Sequence, residues 1–160
     1  MSMKTKTKKS KLVSMSDLSK EDLSNILNIT KRIKDKPMSS GILKNKSVAL
    51  IFAKPSLRTR VSFEVGINQL GGQPITIKMD EISIGSRENV EDIAKVWSRN
   101  VSAIVIRTYE QKQIEELSTF SNIPVINALS NEEHPCQIVA DLYTIKETFN
   151  SLSGLKITYI

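Results

Sequence analysis

The run Ser47-Val48-Ala49-Leu50-Ile51-Phe52 and its continuation, Ala53-Lys54-Pro55-Ser56-Leu57-Arg58-Thr59-Arg60, decide how the chain is read. A short, nearly continuous apolar run suits a strand buried on both faces, as in a parallel sheet. The polar stretch after it leads into residues 58–70, which read as a helix that Gly71-Gly72 ends.

Outward from this unit, the same two patterns alternate. Residues 74–78 read as a strand, and residues 89–100 as a helix begun by the acids Glu88, Glu91 and Asp92. Residues 102–106 form a second strongly apolar strand and residues 110–120 a helix. A strand over 123–127 and a long helix over 135–150 follow. Toward the N-terminus, Asp17 to Asp22 opens a helix that Ser16 or Ser19 caps, with Leu23, Ile26, Leu27 and Ile33 at helical spacing. Pro37 and Gly41 break it. Strands and helices joined by short connections predict an α/β fold, a parallel sheet of about four strands with helices on both faces.

The ends are read differently from the middle. Lys4, Lys6, Lys8, Lys9 and Lys11 precede the first acid, Asp17; taking these five from the net charge of +6 leaves +1 for the rest. The basic character is a tail property, and residues 1–11 read as a disordered arm. A nucleic-acid module acting through that arm is the competing reading, but no basic stripe with interleaved aromatics follows it. At the other end, Leu155-Lys156-Ile157-Thr158-Tyr159-Ile160 starts a new β-type run, expected to be the interrupted beginning of a second domain over 153–160. The folded domain is then 12–152.

Composition excludes several classes. Hydrophobic residues at 39% and charged residues at 25% fit a globular chain with a core. No apolar run approaches the ~20 residues that cross a bilayer, so no membrane partner is expected. No secretory h-region precedes the domain, and the single cysteine, Cys136, makes no intrachain disulfide, so a reduced cytoplasmic setting is expected. One histidine and one cysteine do not make a zinc site; no metal and no cofactor is expected.

Three groups carry chemistry, and each falls beyond the carboxyl end of an expected strand, where ligands bind in open α/β sheets. In the first, Ser56 and Thr59 offer hydroxyls, the helix entrance offers backbone N–H groups, and Arg58 and Arg60 offer guanidinium forks that match phosphate oxygens. The alternative is an ordinary helix start with solvated arginines. The second is Arg107, at the end of the second apolar strand, either a surface charge or a group reaching into the crevice to polarise a carbonyl. The third is His134-Pro135-Cys136-Gln137. Pro135 suits the first helical turn. His134 and Gln137, three apart, share a helix face, while Cys136 is expected to face away from His134. The alternative here is a helix-capping histidine beside an inert cysteine.

In this order and spacing the three groups resemble the aspartate/ornithine carbamoyltransferase family. FAKPSLRTRVSFEVG (52–66) is similar to its carbamoyl-phosphate motif, usually S-T-R-T-R, and Arg107 and HPCQ match its next two signatures. The resemblance runs from about Leu18 to Ile160, and HPCQ, VSFEVGINQLGG and Asn127-Ala128-Leu129 favour the ornithine branch over the aspartate branch. It implies an N-terminal carbamoyl-phosphate-binding domain in which Ser56, Leu57 (by its backbone), Arg58 and Thr59 hold phosphate. Thr59, Arg107 and His134 would contact the carbonyl oxygen, and Gln137 the carbamoyl amide. Arg107, His134 and Gln137 are thus the expected catalytic residues, carbamoyl phosphate and ornithine the expected partners, and a homotrimer the expected assembly.

Two positions depart from the family pattern. Leu57 stands where a threonine is usual, which removes a hydroxyl but no backbone N–H. Ser83, in a segment resembling the loop that reaches a neighbouring subunit, stands where ornithine enzymes usually carry glutamine. The family's amino-acid-binding motifs do not occur in these residues. Putrescine, aspartate or an acylated ornithine as acceptor, and a non-catalytic stand-alone module, remain open.

Overall fold

The computed structural model describes residues 11–36, 41–78 and 89–158. The central strand is β1 (Ser47–Phe52), whose Ala49, Leu50 and Ile51 are wholly buried. Each such side chain of Leu or Ile size contributes about 1.5–3 kcal/mol by leaving water. Strand β1 pairs in parallel with β2 (Gln73–Lys78) on one side and β3 (Ala103–Arg107) on the other, and β3 pairs in parallel with β4 (Val125–Leu129). The sheet order is β2-β1-β3-β4.

That order follows from the crossovers. Helix α2 (Arg58–Gln69) connects β1 to β2, and its Phe63 and Ile67 pack on the face carrying Val48, Leu50, Val105 and Ala128. Helices α3 (Val90–Asn100) and α4 (Gln111–Phe120) lie on the opposite face, against Ala49, Ile51, Ile104, Ile106 and Val125. The chain steps one way from β1 to β2, then returns across β1 to β3 and continues to β4. The direction of winding therefore reverses beside β1, and a crevice opens between the carboxyl ends of β1 and β3. Helix α5 (Pro135–Phe149) packs on β4, and α1 (Lys20–Asp35) packs on α5.

Local chemistry explains the boundaries. Ser19 caps α1 in a reciprocal box with Asp22, which selects Ser19 over Ser16. An unexpected 3-10 turn, Met15–Asp17, precedes it and is capped by Ser14 with Asp17. Lys11, the last residue assigned to the tail, pairs with Asp17 at 3.0 Å. The backbone of Leu12 bridges the edge of β4, donating to Val125 and accepting from Asn127. Gly71, at φ 84°, ends α2, and a Cβ on Gly72 would lie 2.8 Å from that of Leu43.

Two expectations are corrected. The last strand runs two residues later than 123–127, because Pro124 has no N–H to give the ladder and its carbonyl instead accepts from Ile104. Residues 155–158 form no strand: among the described residues none pairs with them, and Leu155 and Ile157 are exposed. Ser83 and its loop lie outside the described residues.

Candidate functional site

The crevice at the β1/β3 switch is a cleft of ≈ 540 Å³ lined by Arg58, Thr59, Arg107, His134 and Gln137, with Ser62, Phe63 and Ala140 from the flanking helices. Five of the residues singled out in the sequence, spread over eighty positions, thus meet in one place. Helices α2 and α5 wall it, and the ends of β3 and β4 floor it.

Each side chain arrives by a local device. Helix α2 starts at Arg58 with no side-chain cap, so its first-turn N–H groups stay available and carry partial positive charge. Arg107 sits where the β3–β4 ladder slips, with Ile106 opposite Asn127 but Arg107 opposite Leu129. Such a bulge re-aims a side chain. The guanidinium turns toward the β1 loop, donating from Nη1 to Oγ1 of Thr59 and from Nη2 to the Pro55 carbonyl, both at 3.4 Å. Neighbouring Thr108 is buried and held by its backbone N–H to Leu129 and its hydroxyl to Gln113.

His134 is the N-cap residue of α5, with Pro135 in the first turn as expected. The loop before it is pinned by Ser130, whose hydroxyl accepts from the backbone N–H groups of Glu132 and Glu133 and whose own N–H bonds the Glu133 carbonyl. Glu133 turns away to the N-terminal segment, accepting from the Ser14 hydroxyl at 2.8 Å and the Met15 N–H at 3.0 Å. Gln137 donates its amide N–H to Asp141 at 2.8 Å, which leaves its carbonyl oxygen able to accept from a ligand amide.

Electrostatics favour an anionic guest. Arg58 and Arg107 bring two permanent positive charges to the cleft. His134 is held below its ordinary pKa of 6.5, first by burial and then by the Arg107 charge, with Asp141 partly opposing them. It is therefore neutral at pH 7. Nε of Arg107 and Nδ1 of His134 are buried without a hydrogen-bond partner. Unsatisfied polar atoms on two side chains lining one cleft mark room for a polar ligand.

Not every expected residue joins the cleft. The side chain of Ser56 lies on the β2 side of the loop, in a smaller pocket of ≈ 390 Å³ shared with Lys54, Arg60 and Lys78. Leu57 is 72% exposed, so only its backbone at the start of α2 is near the site. Arg60 turns away, with its Nε 3.9 Å from Glu64. Cys136, expected to face away from His134, lines the same cleft. Its thiol bonds the Asn127 carbonyl at 3.3 Å, and burial pushes its pKa up to about 11, so it is an inert thiol rather than a nucleophile. Among the described residues, no group of acidic, histidine and cysteine side chains could hold a metal ion. No helix among them is long and apolar enough to cross a membrane. The loop ties made by Lys54 and Glu133 were missed in the sequence; only the Ser14-x-x-Asp17 spacing hinted at an ordered segment before α1.

Residues 10–147 match the family model described as aspartate/ornithine carbamoyltransferase, carbamoyl-P binding domain. The chain is 48% identical over 148 residues to ornithine carbamoyltransferase from Methanococcus aeolicus, covering 92% of this chain and 49% of that protein. It is 44% identical over 161 aligned positions to the Listeria monocytogenes protein of the same name, covering 100% of this chain and 51% of the relative. Among solved structures, ornithine carbamoyltransferase from Thermus thermophilus superposes with a TM-score of 0.87 at 38% identity, covering 93% of this chain and 52% of the other. That from Pyrococcus furiosus superposes with a TM-score of 0.86 at 37% identity, covering 91% and 48%. The chain thus spans about half the length of the curated relatives it matches.

Proposed function

The chain belongs to the aspartate/ornithine carbamoyltransferase family, and from that premise we propose that its cleft binds carbamoyl phosphate for transfer of the carbamoyl group to the δ-amine of L-ornithine, giving L-citrulline and phosphate. The observation that carries the reading is the convergence of Arg58, Thr59, Arg107, His134 and Gln137 on one crevice at the strand-order switch.

The roles follow from charge and hydrogen-bonding capacity. Arg58, the Thr59 hydroxyl and the free N–H groups at the entrance of α2, with the Leu57 backbone beside them, hold the phosphate. Arg107, Thr59 and neutral His134 donate to the carbonyl oxygen, and the Gln137 carbonyl accepts from the carbamoyl amide. As the amine attacks, negative charge grows on that oxygen. Donors already aimed at it stabilise the transition state, and losing one typically costs about 10²–10³ in rate. The neutral amine adds to the carbonyl carbon. The tetrahedral centre then breaks its C–O bond and releases phosphate, and the proton lost by the amine leaves on the phosphate, with no covalent enzyme intermediate.

The acceptor is proposed as ornithine because relatives of 43–48% identity carry that name. Residues beyond this chain would bind it. Domain limits of 12–152, with a second domain starting at 153–160, belong to the same proposal, as do a homotrimer with Ser83 at the subunit boundary, a cytoplasmic setting and a place in arginine metabolism. Isothermal titration of the chain with carbamoyl phosphate and with inorganic phosphate tests the site. Both should bind, and Arg58→Ala should abolish most of the heat; equal heats from the two proteins would remove the case for the cradle.

A further inference from the structure

We infer that Lys54 is a positioning residue of the cleft, a staple that fixes the loops carrying Arg107 and His134 against the loop carrying Arg58 and Thr59; the inference deepens the proposed function and rests on it. The ammonium of Lys54 lies 2.6 Å from Oδ1 of Asn131 and 4.5 Å from the centre of the Tyr109 ring. Asn131 is three residues before His134, and Tyr109 is two residues after Arg107. These two loops are themselves joined by the Asn131 N–H to the Tyr109 carbonyl at 2.9 Å. The β1 loop meets the β3 end once more through the Ala53 N–H, which bonds the Arg107 carbonyl at 2.8 Å. One cation therefore closes a ring of contacts among the three loops that build the cleft.

Lys54 acts through these neighbours rather than on the ligand. Lys54 is among the residues lining the smaller pocket and is not among those lining the cleft. Burial and then Arg107 lower the pKa of His134, Asp141 opposes them, and Lys54 is not among these causes. The charge-neutral Asn131→Ala change separates movement of the loops from the loss of a nearby charge. Catalytic sites lose affinity and rate when their groups sit even ~1 Å from the productive arrangement, so a staple of this kind governs how well preorganised the donors are.

The test compares Lys54→Met, Asn131→Ala, their double variant and Lys54→Arg with the parent chain. His134 is the only histidine, so its ring protons report its surroundings without overlap. In ligand-free protein, Lys54→Met and the charge-neutral Asn131→Ala should each shift the His134 signals and move its titration back up toward the ordinary imidazole value. Both should weaken carbamoyl phosphate and inorganic phosphate binding roughly three- to tenfold. The double variant should cost no more than either single change, and Lys54→Arg should restore most of the affinity. Weakened binding with unchanged His134 signals and additive costs would make Lys54 a direct anion contact and overturn the inference. Unchanged binding and unchanged signals would overturn it too. If the parent chain binds neither anion, the functional reading fails, and the ligand-free His134 titration still decides whether the staple exists.

Discussion

Arg107 and Thr59, at the end of β3 and in the first turn of α2, share one long hydrogen bond of 3.4 Å across the crevice. A bond at the outer limit of good geometry is easily replaced by a ligand oxygen that both groups can reach. Thr59→Val keeps the shape of the residue and removes the hydroxyl. It should weaken carbamoyl phosphate binding by about ten- to a hundredfold, the worth of one hydrogen bond to a charged group. The thermal midpoint should hardly move, because the lost bond is long and the position is only half-buried. Calorimetric titration and a melting curve of the same variant check both halves.

His134 makes the fold sensitive to acid in a defined direction. Its folded-state pKa lies below the ordinary 6.5, so between the two values the unfolded chain binds a proton that the folded chain refuses. Stability is therefore complete above the unfolded pKa and falls as pH drops toward the folded one. Urea titrations between pH 7.5 and about 5 should show this loss, and His134→Asn should remove that component of it. An anion beside Arg107 favours the charged imidazole, so saturating phosphate should move the His134 titration upward.

Much of this was readable in the residues, and the limits have physical causes. Strand β1 was plain because a run such as Ala49-Leu50-Ile51 has no other stable home than a sheet covered on both faces. The cleft was legible because its residues follow strand ends, and strand ends of a parallel sheet converge. The sequence did not show on which side of a loop a side chain would fall. Ser56 and Arg60 went to the β2 side, and a turn two residues long is enough to decide that. Cys136 was misplaced for a similar reason: helical spacing from His134 fails when His134 is a non-helical cap at φ -136° and ψ 71°. The ties of Lys54 to Asn131 and of Glu133 to Ser14 join residues 77 and 119 positions apart, and neither local propensity nor periodicity encodes such pairs.

The thiol of Cys136 gives an independent check on burial where α5 meets the end of β4. With its pKa pushed up to about 11, from 9.0, the thiolate fraction at pH 8 falls by about a hundredfold. A disulfide exchange reagent should therefore label the native chain slowly and the urea-unfolded chain at once. Fast native labelling would show that the thiol is open to solvent and that the start of α5 sits differently.

The Glu133 carboxylate ties the N-terminal segment to the loop before α5. Glu133 accepts from both Ser14 and Met15, and Leu12 and Val13 bond the edge of β4 and the buried Asn127 side chain. Glu133→Ala leaves these partly buried donors unmatched and should cost about 1–3 kcal/mol. Adding Ser14→Ala to that variant should cost only the loss of its cap on the Met15–Asp17 turn, since its bond to Glu133 is already gone. Chemical denaturation of the single and double variants measures the coupling.

Two glycines of neighbouring sequence should respond to alanine with opposite signs. Gly66 lies inside α2, and a Cβ there would meet nothing within 4 Å. Alanine at that position restricts the unfolded chain without a clash, so Gly66→Ala should stabilise by about 0.5–1 kcal/mol. Gly72 sits where the chain turns from α2 into β2, and a Cβ there would lie 2.8 Å from Cβ of Leu43, 3.1 Å from Cγ2 of Ile67 and 3.2 Å from the Lys46 carbonyl. Two of these neighbours are a backbone oxygen and a Cβ, which cannot swing away as the end of a long side chain can. Gly72→Ala must therefore push β2 away from the segment before β1, and should destabilise by about 1–3 kcal/mol. Urea midpoints at constant m-value read both effects, and a stable Gly72→Ala protein would mean that the turn after α2 and segment 43–46 before β1 do not approach this closely.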